Sequence, residues 1–205
     1  MRWRGQSGSS NVEDRRGRSV FRLKGPGGVV MLIIVVIAGY YGIDLLPLLG
    51  GETVPSGNTS YVAMEEDQEI VEFTSVALRL TEDTWGEIFQ QSGKVYQPPK
   101  LVIYTDGTTT SCGYGQSAMG PFYCPADETV YIDLSFYQDM QQHLGGGGAF
   151  AFGYVIAHDV GHHVQHLLGV TQQEPSSGAR RLLVMMEWQA DCYEGIWGNA
   201  VPQKG

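Results

Sequence analysis

The pattern of apolar and polar positions separates a long apolar run near the N-terminus from a body of mixed composition. Residues 28–43 carry no charged side chain, and the apolar sequence continues to residue 49 with Asp44 as the one charged interruption. A helix needs about 20 mainly apolar residues to cross a bilayer. We therefore predict a transmembrane signal-anchor at residues 28–49. A cleaved signal peptide is the alternative, although no Ala-x-Ala cleavage site follows the run.

The body follows a linker at residues 50–59, which contains Gly, Pro and Ser. Apolar spacing predicts helical structure over residues 60–91, where Thr81 is expected to cap a second helix. The other predicted elements are two strands and two helices: Leu101–Tyr104, Thr129–Phe136, Ala149–Leu168 and about Gly178–Trp197. This order of helix, strands, helix and helix indicates an α+β fold.

Charge is distributed unevenly along a chain whose net charge is −9. Residues 1–24 contain seven Lys or Arg against two acidic residues, and the rest of the chain is acidic. An acidic body argues against a nucleic-acid partner. A basic segment before an apolar run fits the positive-inside rule. We therefore predict that residues 1–27 form a basic cytoplasmic arm and that the body is periplasmic or extracellular.

Metal chemistry is indicated by two histidines four residues apart in the segment Ala157–His166. On a helix, His158 and His162 lie on one face and can bind a common ion. In the HExxH zinc site, the acidic residue after the first His is the general base. Here that position is Asp159. We therefore predict that His158 and His162 bind Zn²⁺ and that Asp159 is the catalytic proton acceptor.

A catalytic zinc site usually has three protein ligands. The best third candidate is Glu187, in the last predicted helix. Asp191 lies one turn further on and is expected to accept a proton from a ligand His. The apolar residues around these carboxylates predict that both point into the protein and that residues 182–186 belong to the core. The other histidines are expected not to be ligands: His143, His163 and His166.

The chain has three cysteines. Cys112 and Cys124 bracket a Gly-rich loop, and we predict a disulfide between them if the domain lies outside the cytoplasm. A two-cysteine metal site is the alternative, although neither residue belongs to a CxxC motif. Cys192 is left without an internal partner.

With these motifs, the sequence resembles a bacterial family of neutral zinc metallopeptidases, which are single-span membrane proteins with an HEVGHHVQ motif. The resemblance covers nearly the whole chain and rests on these stretches: MRWRGQSGSSNVEDRRG, VYQPPKLV, SCGYGQSAMGPFYCPAD with VYIDLSF, and YVIAHDVGHHVQHLLGV with EWQADCYEGIWG. It implies a zincin domain of the gluzincin type at residues 60–205, with His158, His162 and Glu187 as zinc ligands. It also implies an anchored, non-cytoplasmic domain.

The sequence departs from the family pattern in two respects. Asp159 replaces the family's Glu, and its side chain is one methylene shorter, which is expected to weaken activity because small misplacements of a catalytic group can cost on the order of 10²-fold. Family members also continue beyond the last helix, so the domain is expected to be C-terminally truncated. The partners implied are a peptide or protein substrate and the bilayer, and the oligomeric state stays open.

Two other functions compete with a peptidase. One is an HD-type metal phosphohydrolase, in which Asp159 is a metal ligand and His143 and Asp191 supply further ligands. The other is a non-catalytic module that binds zinc. For a peptidase, the strand at residues 129–136 is expected to pair with an extended substrate, with Tyr131 and Leu134 near the cleft.

Overall fold

The computed structural model describes residues 3–16, 59–144, 148–170 and 179–204. The chain divides into two compact units, residues 19–64 and the rest. The fold and the site described below belong to the second of these. The predicted anchor at residues 28–49 lies outside the described residues, as does the linker apart from Thr59. Within the described ranges, no helix is both long and apolar enough to cross a membrane.

The described elements are four helices, six strands and one short 3-10 helix. In chain order the strands and helices are β1 (Val12–Asp14), α1 (Thr59–Gln91), β2 (Lys100–Tyr104), β3 (Gly107–Thr110), β4 (Gly113–Gln116), β5 (Phe122–Cys124), β6 (Thr129–Asp133), α2 (Leu134–Leu144), α3 (Gly148–Leu167) and α4 (Ala179–Lys204). The 3-10 helix, Ser117–Met119, precedes β5. The mixture of helices and sheet agrees with the predicted α+β class.

A four-stranded sheet in the order β1-β2-β6-β5 forms the centre of the domain. β1, β2 and β6 are parallel, and β5 is antiparallel to β6. The strands β2 and β6 read as nearly continuous apolar runs because they lie inside the sheet and are buried on both faces. The core joins these strands to the apolar sides of α1 and α3, including Phe73, Leu101, Ile132, Phe152 and Val160.

The predicted N-terminal arm contributes a strand to this sheet. Val12 is paired with Leu101 in parallel register, and the N–H of Leu101 donates to the carbonyl of Asn11 at 2.9 Å. Glu82 of α1 accepts hydrogen bonds from the Ser9 hydroxyl at 2.6 Å and from the Asn11 amide at 2.7 Å. The description of residues 1–27 as a separate arm is therefore wrong for residues 3–16.

This pairing also conflicts with a single membrane crossing by residues 28–49. One crossing would place the residues before and after that segment on opposite sides of the bilayer. β1 and β2 flank the segment in sequence, yet they are hydrogen-bonded neighbours in one sheet. A single crossing is therefore an expectation that the pairing of β1 with β2 does not support.

Two predicted boundaries are wrong for local reasons. Thr81 does not cap a second helix, because α1 is continuous and the Thr81 hydroxyl donates to the carbonyl of Leu78 within it at 2.7 Å. The strand predicted at residues 129–136 ends at Asp133, whose carboxylate accepts from the N–H and hydroxyl of Ser135 at 2.7 and 2.6 Å. Such a bond caps the N-terminus of α2, an element that the sequence analysis did not predict.

Close backbone packing joins α3 to α4. A Cβ atom added to Gly161 would lie 3.3 Å from both the Cα and the carbonyl oxygen of Ala190, and one added to Gly153 would lie 2.7 Å from the Trp197 ring. Glycine at these two positions therefore lets the helices approach closely. The first contact lies between the two histidines of α3 and beside the acidic residues of α4.

Glu82→Ala tests the docking of the N-terminal segment. We expect the free energy of unfolding, measured by chemical denaturation, to fall by about 1.5–3 kcal/mol, because two hydrogen bonds to a charged group are lost. Hydrogen exchange at residues 12–14 should accelerate. The control is Asp83→Ala, which removes an exposed ion pair with Arg79 and should change stability by less than about 1 kcal/mol. Equal effects of the two variants would contradict the docking.

Candidate metal centre and active site

Three predicted ligands converge between α3 and α4. The Nε2 of His158 lies 3.3 Å from an Oε2 of Glu187, and the Nε2 of His162 lies 3.6 Å from the same oxygen. One ligand atom from each residue lies within 4.8 Å of the others. The structure thus brings together the two histidines that were predicted from their spacing and the carboxylate that was predicted as the third ligand.

The separations of the two histidine nitrogens from Glu187 fit a tetrahedral zinc site. Zinc bonds of about 2.0–2.2 Å to nitrogen and oxygen, at tetrahedral angles, place neighbouring ligand atoms about 3.4 Å apart. The measured 3.3 and 3.6 Å bracket this value. The 3.3 Å contact also has the geometry of a hydrogen bond between His158 and Glu187, whereas 3.6 Å is too long for one. Two imidazoles and one carboxylate are also a ligand set that zinc takes in catalytic sites.

The second ring nitrogen of His158 faces two carboxylates of α4. Its Nδ1 lies 3.1 Å from Asp191 and 3.3 Å from Glu194. A proton on Nδ1 that is donated to these oxygens leaves the lone pair of Nε2 for a metal. The structure therefore places Asp191 where its predicted role requires. Glu194 was missed, although its spacing of seven from Glu187 puts it on the same helix face. Burial, more than the charge of Asp191, raises the pKa of Glu194, and His158 partly opposes this.

The second ring nitrogen of His162 faces an amide. Its Nδ1 lies 3.0 Å from the Oε1 of Gln165, a residue of α3 that is completely buried. The Nε2 of Gln165 donates to the carbonyl of Met186 at 2.7 Å and to the Oε1 of Gln189 at 3.1 Å. Sequence reasoning missed Gln165, because its partners on α4 are more than 20 residues away.

His163 has a different set of contacts from its neighbour. It is fully buried, and its Nε2 donates to the backbone carbonyl of Gln97 at 2.7 Å. Its Nδ1 therefore accepts the hydroxyl proton of Tyr123, at 2.9 Å. Burial lowers the pKa of His163, so the ring stays neutral. Both nitrogens are used in these hydrogen bonds, which agrees with the prediction that His163 is not a ligand.

Asp159 lines the same cleft as the three candidate ligands. The residue is 5% exposed, and its burial, followed by the negative charge of Glu187, raises its pKa to about 8. A carboxyl group with this pKa is mostly protonated at pH 7 in the metal-free protein. A cation within about 4–6 Å favours the ionised form.

The cleft lies between α3, α4 and the segment that contains β5. Its volume is about 610 Å³, and its wall away from the helices consists of Pro121, Phe122, Tyr123 and Pro125. The predicted disulfide between Cys112 and Cys124 is present, and it ties this wall to the β3–β4 hairpin. β5 is an edge strand of the described sheet, whereas β6 lies between β2 and β5. The expectation that β6 pairs with substrate is therefore wrong, because its edges are already hydrogen-bonded.

The predicted burial of the apolar segment of α4 is wrong. Leu183, Met185 and Trp188 are 60%, 53% and 69% exposed, and the carboxylate-bearing side chains of Glu187 and Asp191 are 57% and 61% exposed. The face of α4 that packs on α3 is instead centred on Ala190 and Trp197, both fully buried. An apolar composition identified a helix but not which of its faces is covered.

The remaining histidines have contacts outside the three candidate ligands. The His143 Nδ1 contacts the carbonyl of Asp139 at the end of α2, and His166 Nε2 lies 3.7 Å from Glu128. Neither belongs to a metal-ligand group in the described ranges. An HD-type phosphohydrolase is all-helical and would need His143 near the site. The central sheet and the position of His143 both argue against that alternative.

Comparison with known proteins identifies the family of this chain. A protein of Escherichia coli (strain K12), "Uncharacterized protein YpfJ", is 52% identical over 221 aligned residues, which cover 100% of this chain and 77% of that protein. "Uncharacterized protein Rv2575" of Mycobacterium tuberculosis is 46% identical over 105 residues, half of this chain and 36% of its own length. No solved structure matches the chain. The family described as "Putative neutral zinc metallopeptidase" matches residues 1–205, and the chain therefore belongs to that family.

Proposed function

We propose that this protein is a zinc-dependent metallopeptidase, in which His158, His162 and Glu187 hold the metal. The observation that carries the proposal is the convergence of their three ligand atoms within 4.8 Å, with both histidine nitrogens at distances from Glu187 that suit tetrahedral zinc. The membership of the family supports the same reaction class. An HxxxH helix packed beside a sheet, with a carboxylate ligand from the next helix, supports a zincin domain of the gluzincin type.

The chemistry of the site requires a water molecule, a proton acceptor and a peptide carbonyl. When bound, zinc lowers the pKa of a coordinated water to about 7 and polarises a carbonyl oxygen. Asp159 is the proton acceptor in this proposal, because it is the acidic residue that follows the first ligand and it lines the cleft. Its short side chain and its buried position both limit this role. We therefore expect turnover below that of a site with Glu at this position.

The substrate in this proposal is an extended peptide that lies along β5. Edge strands bind peptides by adding a strand to the sheet. Within the described sheet, β5 is paired on one side only, and its residues Phe122 and Tyr123 line the cleft that contains the histidines. A peptide bound there would pass close to Asp159.

We also propose attachment to a membrane through residues 28–49, with the domain outside the cytoplasm. The apolar sequence of that segment supports the attachment. The disulfide between Cys112 and Cys124 supports an oxidising compartment. The pairing of β1 with β2 adds that the N-terminal residues share this compartment.

Zinc binding tests the proposed ligands directly. Purified protein should contain about one zinc per chain, and both His162→Ala and Glu187→Ala should lower zinc affinity by at least tenfold, because each removes one of three ligands. The measurements are metal analysis and chelator competition. The matched controls are His143→Ala and Glu72→Ala, which remove an exposed histidine and an exposed glutamate outside the site. Both should bind zinc like the wild type. Unchanged zinc affinity in both ligand variants would refute the site.

Asp159→Glu tests the position of the proton acceptor. We expect hydrolysis of an unstructured protein such as casein to rise by about 10–100-fold, because the added methylene moves the carboxylate towards the water. Chelator should abolish the activity of both proteins. Asp159→Asn should keep zinc and lose activity, since the amide cannot accept the proton. Loss of zinc in Asp159→Asn would instead indicate that Asp159 is itself a ligand.

A non-catalytic zinc-binding module is the second candidate. The specific observation in its favour is that Asp159, at the position of the general base, is almost fully buried and has a pKa raised to about 8. Stoichiometric zinc without hydrolysis in the wild type and in Asp159→Glu would favour this function over the peptidase.

The compartment of the N-terminus can be tested with two cysteine reporters in expressing bacteria. Cys192 is exposed and free, and it reports on the domain. Ser7→Cys in a Cys192→Ser background reports on the N-terminal segment, where Ser7 is exposed. A membrane-impermeant maleimide applied to intact cells should label both reporters, and inverted vesicles should protect both. Labelling of only one reporter would contradict a shared compartment and support a single membrane crossing by residues 28–49.

A further inference from the structure

We propose that Gln165 is a positioning residue that fixes the ring tautomer of His162 and ties this ligand to the helix that carries Glu187. The inference rests on the proposed zinc site, and it adds a residue whose side chain does not touch the metal position. Gln165 lies on α3 one turn after His162, and its side chain is completely buried between α3 and α4.

The orientation of the Gln165 amide is decided by a backbone carbonyl. The carbonyl oxygen of Met186 accepts hydrogen bonds and cannot donate. It lies 2.7 Å from one of the two terminal atoms of the Gln165 amide. That atom must therefore be the NH₂ group, because an amide oxygen at this distance would face another oxygen. The second NH₂ proton is donated to the Oε1 of Gln189 at 3.1 Å, which fixes the orientation of the Gln189 amide in turn.

The orientation of the amide decides the tautomer of the histidine. With its NH₂ group on Met186, Gln165 presents its oxygen to Nδ1 of His162 at 3.0 Å. An amide oxygen accepts only, so Nδ1 carries the ring proton and Nε2 keeps its lone pair. Nε2 is the atom that faces Glu187. Gln165 therefore accepts the Nδ1 proton of His162, as Asp191 and Glu194 accept that of His158. The difference is that the acceptor for His162 is an uncharged, buried amide.

The adjacent histidine shows that the backbone alone does not impose this tautomer. His163 follows His162 on the same helix, yet its Nε2 donates to the Gln97 carbonyl and its Nδ1 accepts from Tyr123. The two neighbours therefore have opposite tautomers. The Gln97 carbonyl selects that of His163 directly, and the Met186 carbonyl selects that of His162 through the Gln165 amide. Gln165 also connects His162 to the residue before Glu187, so two ligands from different helices share one chain of hydrogen bonds.

The test measures the tautomer in the metal-free protein and zinc affinity separately. Long-range proton–nitrogen NMR of the imidazoles, at a pH where they are neutral, should report an Nδ1–H tautomer for His162 and an Nε2–H tautomer for His163. In Gln165→Met, which has a similar volume and no amide, the His162 proton should move to Nε2, where Glu187 can accept it. The tautomer of His163 should not change.

Zinc affinity, measured by chelator competition, should fall by about 10–100-fold in Gln165→Met. The matched control is Gln189→Met, which removes the other amide contact of Gln165 and leaves the Met186 bond in place. It should preserve both the tautomer and the affinity.

An Nε2–H tautomer of His162 in the wild type would overturn the proposal. An unchanged tautomer together with unchanged zinc affinity in Gln165→Met would do the same, even if that variant were less stable. Absence of zinc binding by the wild type would instead count against the metal site, and the tautomer measurement would still decide the role of Gln165.

Discussion

The close contact of α3 with α4 at Gly161 is the constraint on which the candidate site depends. A side chain at Gly161 would meet the backbone of Ala190 at 3.3 Å, so the helices can approach this closely because the position has no Cβ. Gly161 lies between His158 and His162, and Ala190 lies between Glu187 and Asp191. Backbone packing at this contact therefore places the imidazoles opposite the carboxylates, independently of any interaction between the polar groups.

Buried hydrogen bonds then fix how the rings are presented. The ligand histidines each have an acceptor behind Nδ1, a carboxylate pair for His158 and an amide for His162. His163 uses both ring nitrogens to hold α3 against β5 and the segment before β2. A polar network stabilises a unique arrangement when every member is paired, as these members are. The short segment from residue 162 to 165 thus connects three parts of the domain to the site.

Sequence reasoning identified the parts of this site that follow from local spacing. The pair at His158 and His162, and the Glu187–Asp191 pair, repeat at one helical turn, which a single chain reveals. Glu194 continues that spacing and could have been identified in the same way. Gln165 could not, because its role depends on a carbonyl 21 residues away. Strand β1 was missed for the same reason, since it pairs with residues almost 90 positions later.

The wrong prediction that the apolar segment of α4 is buried has a different cause, because composition does not determine which side of a helix is covered.

The three candidate ligands differ in how far their side chains are buried. The side chains of His158 and His162 are 25% and 18% exposed, whereas that of Glu187 is 57% exposed. Hydrogen bonds on their far side hold the two histidines, whereas the more exposed Glu187 faces them through a single carboxylate oxygen. In the proposed metal site, the histidine pair is the preorganised part, and Glu187 is the most exposed of the three candidate ligands.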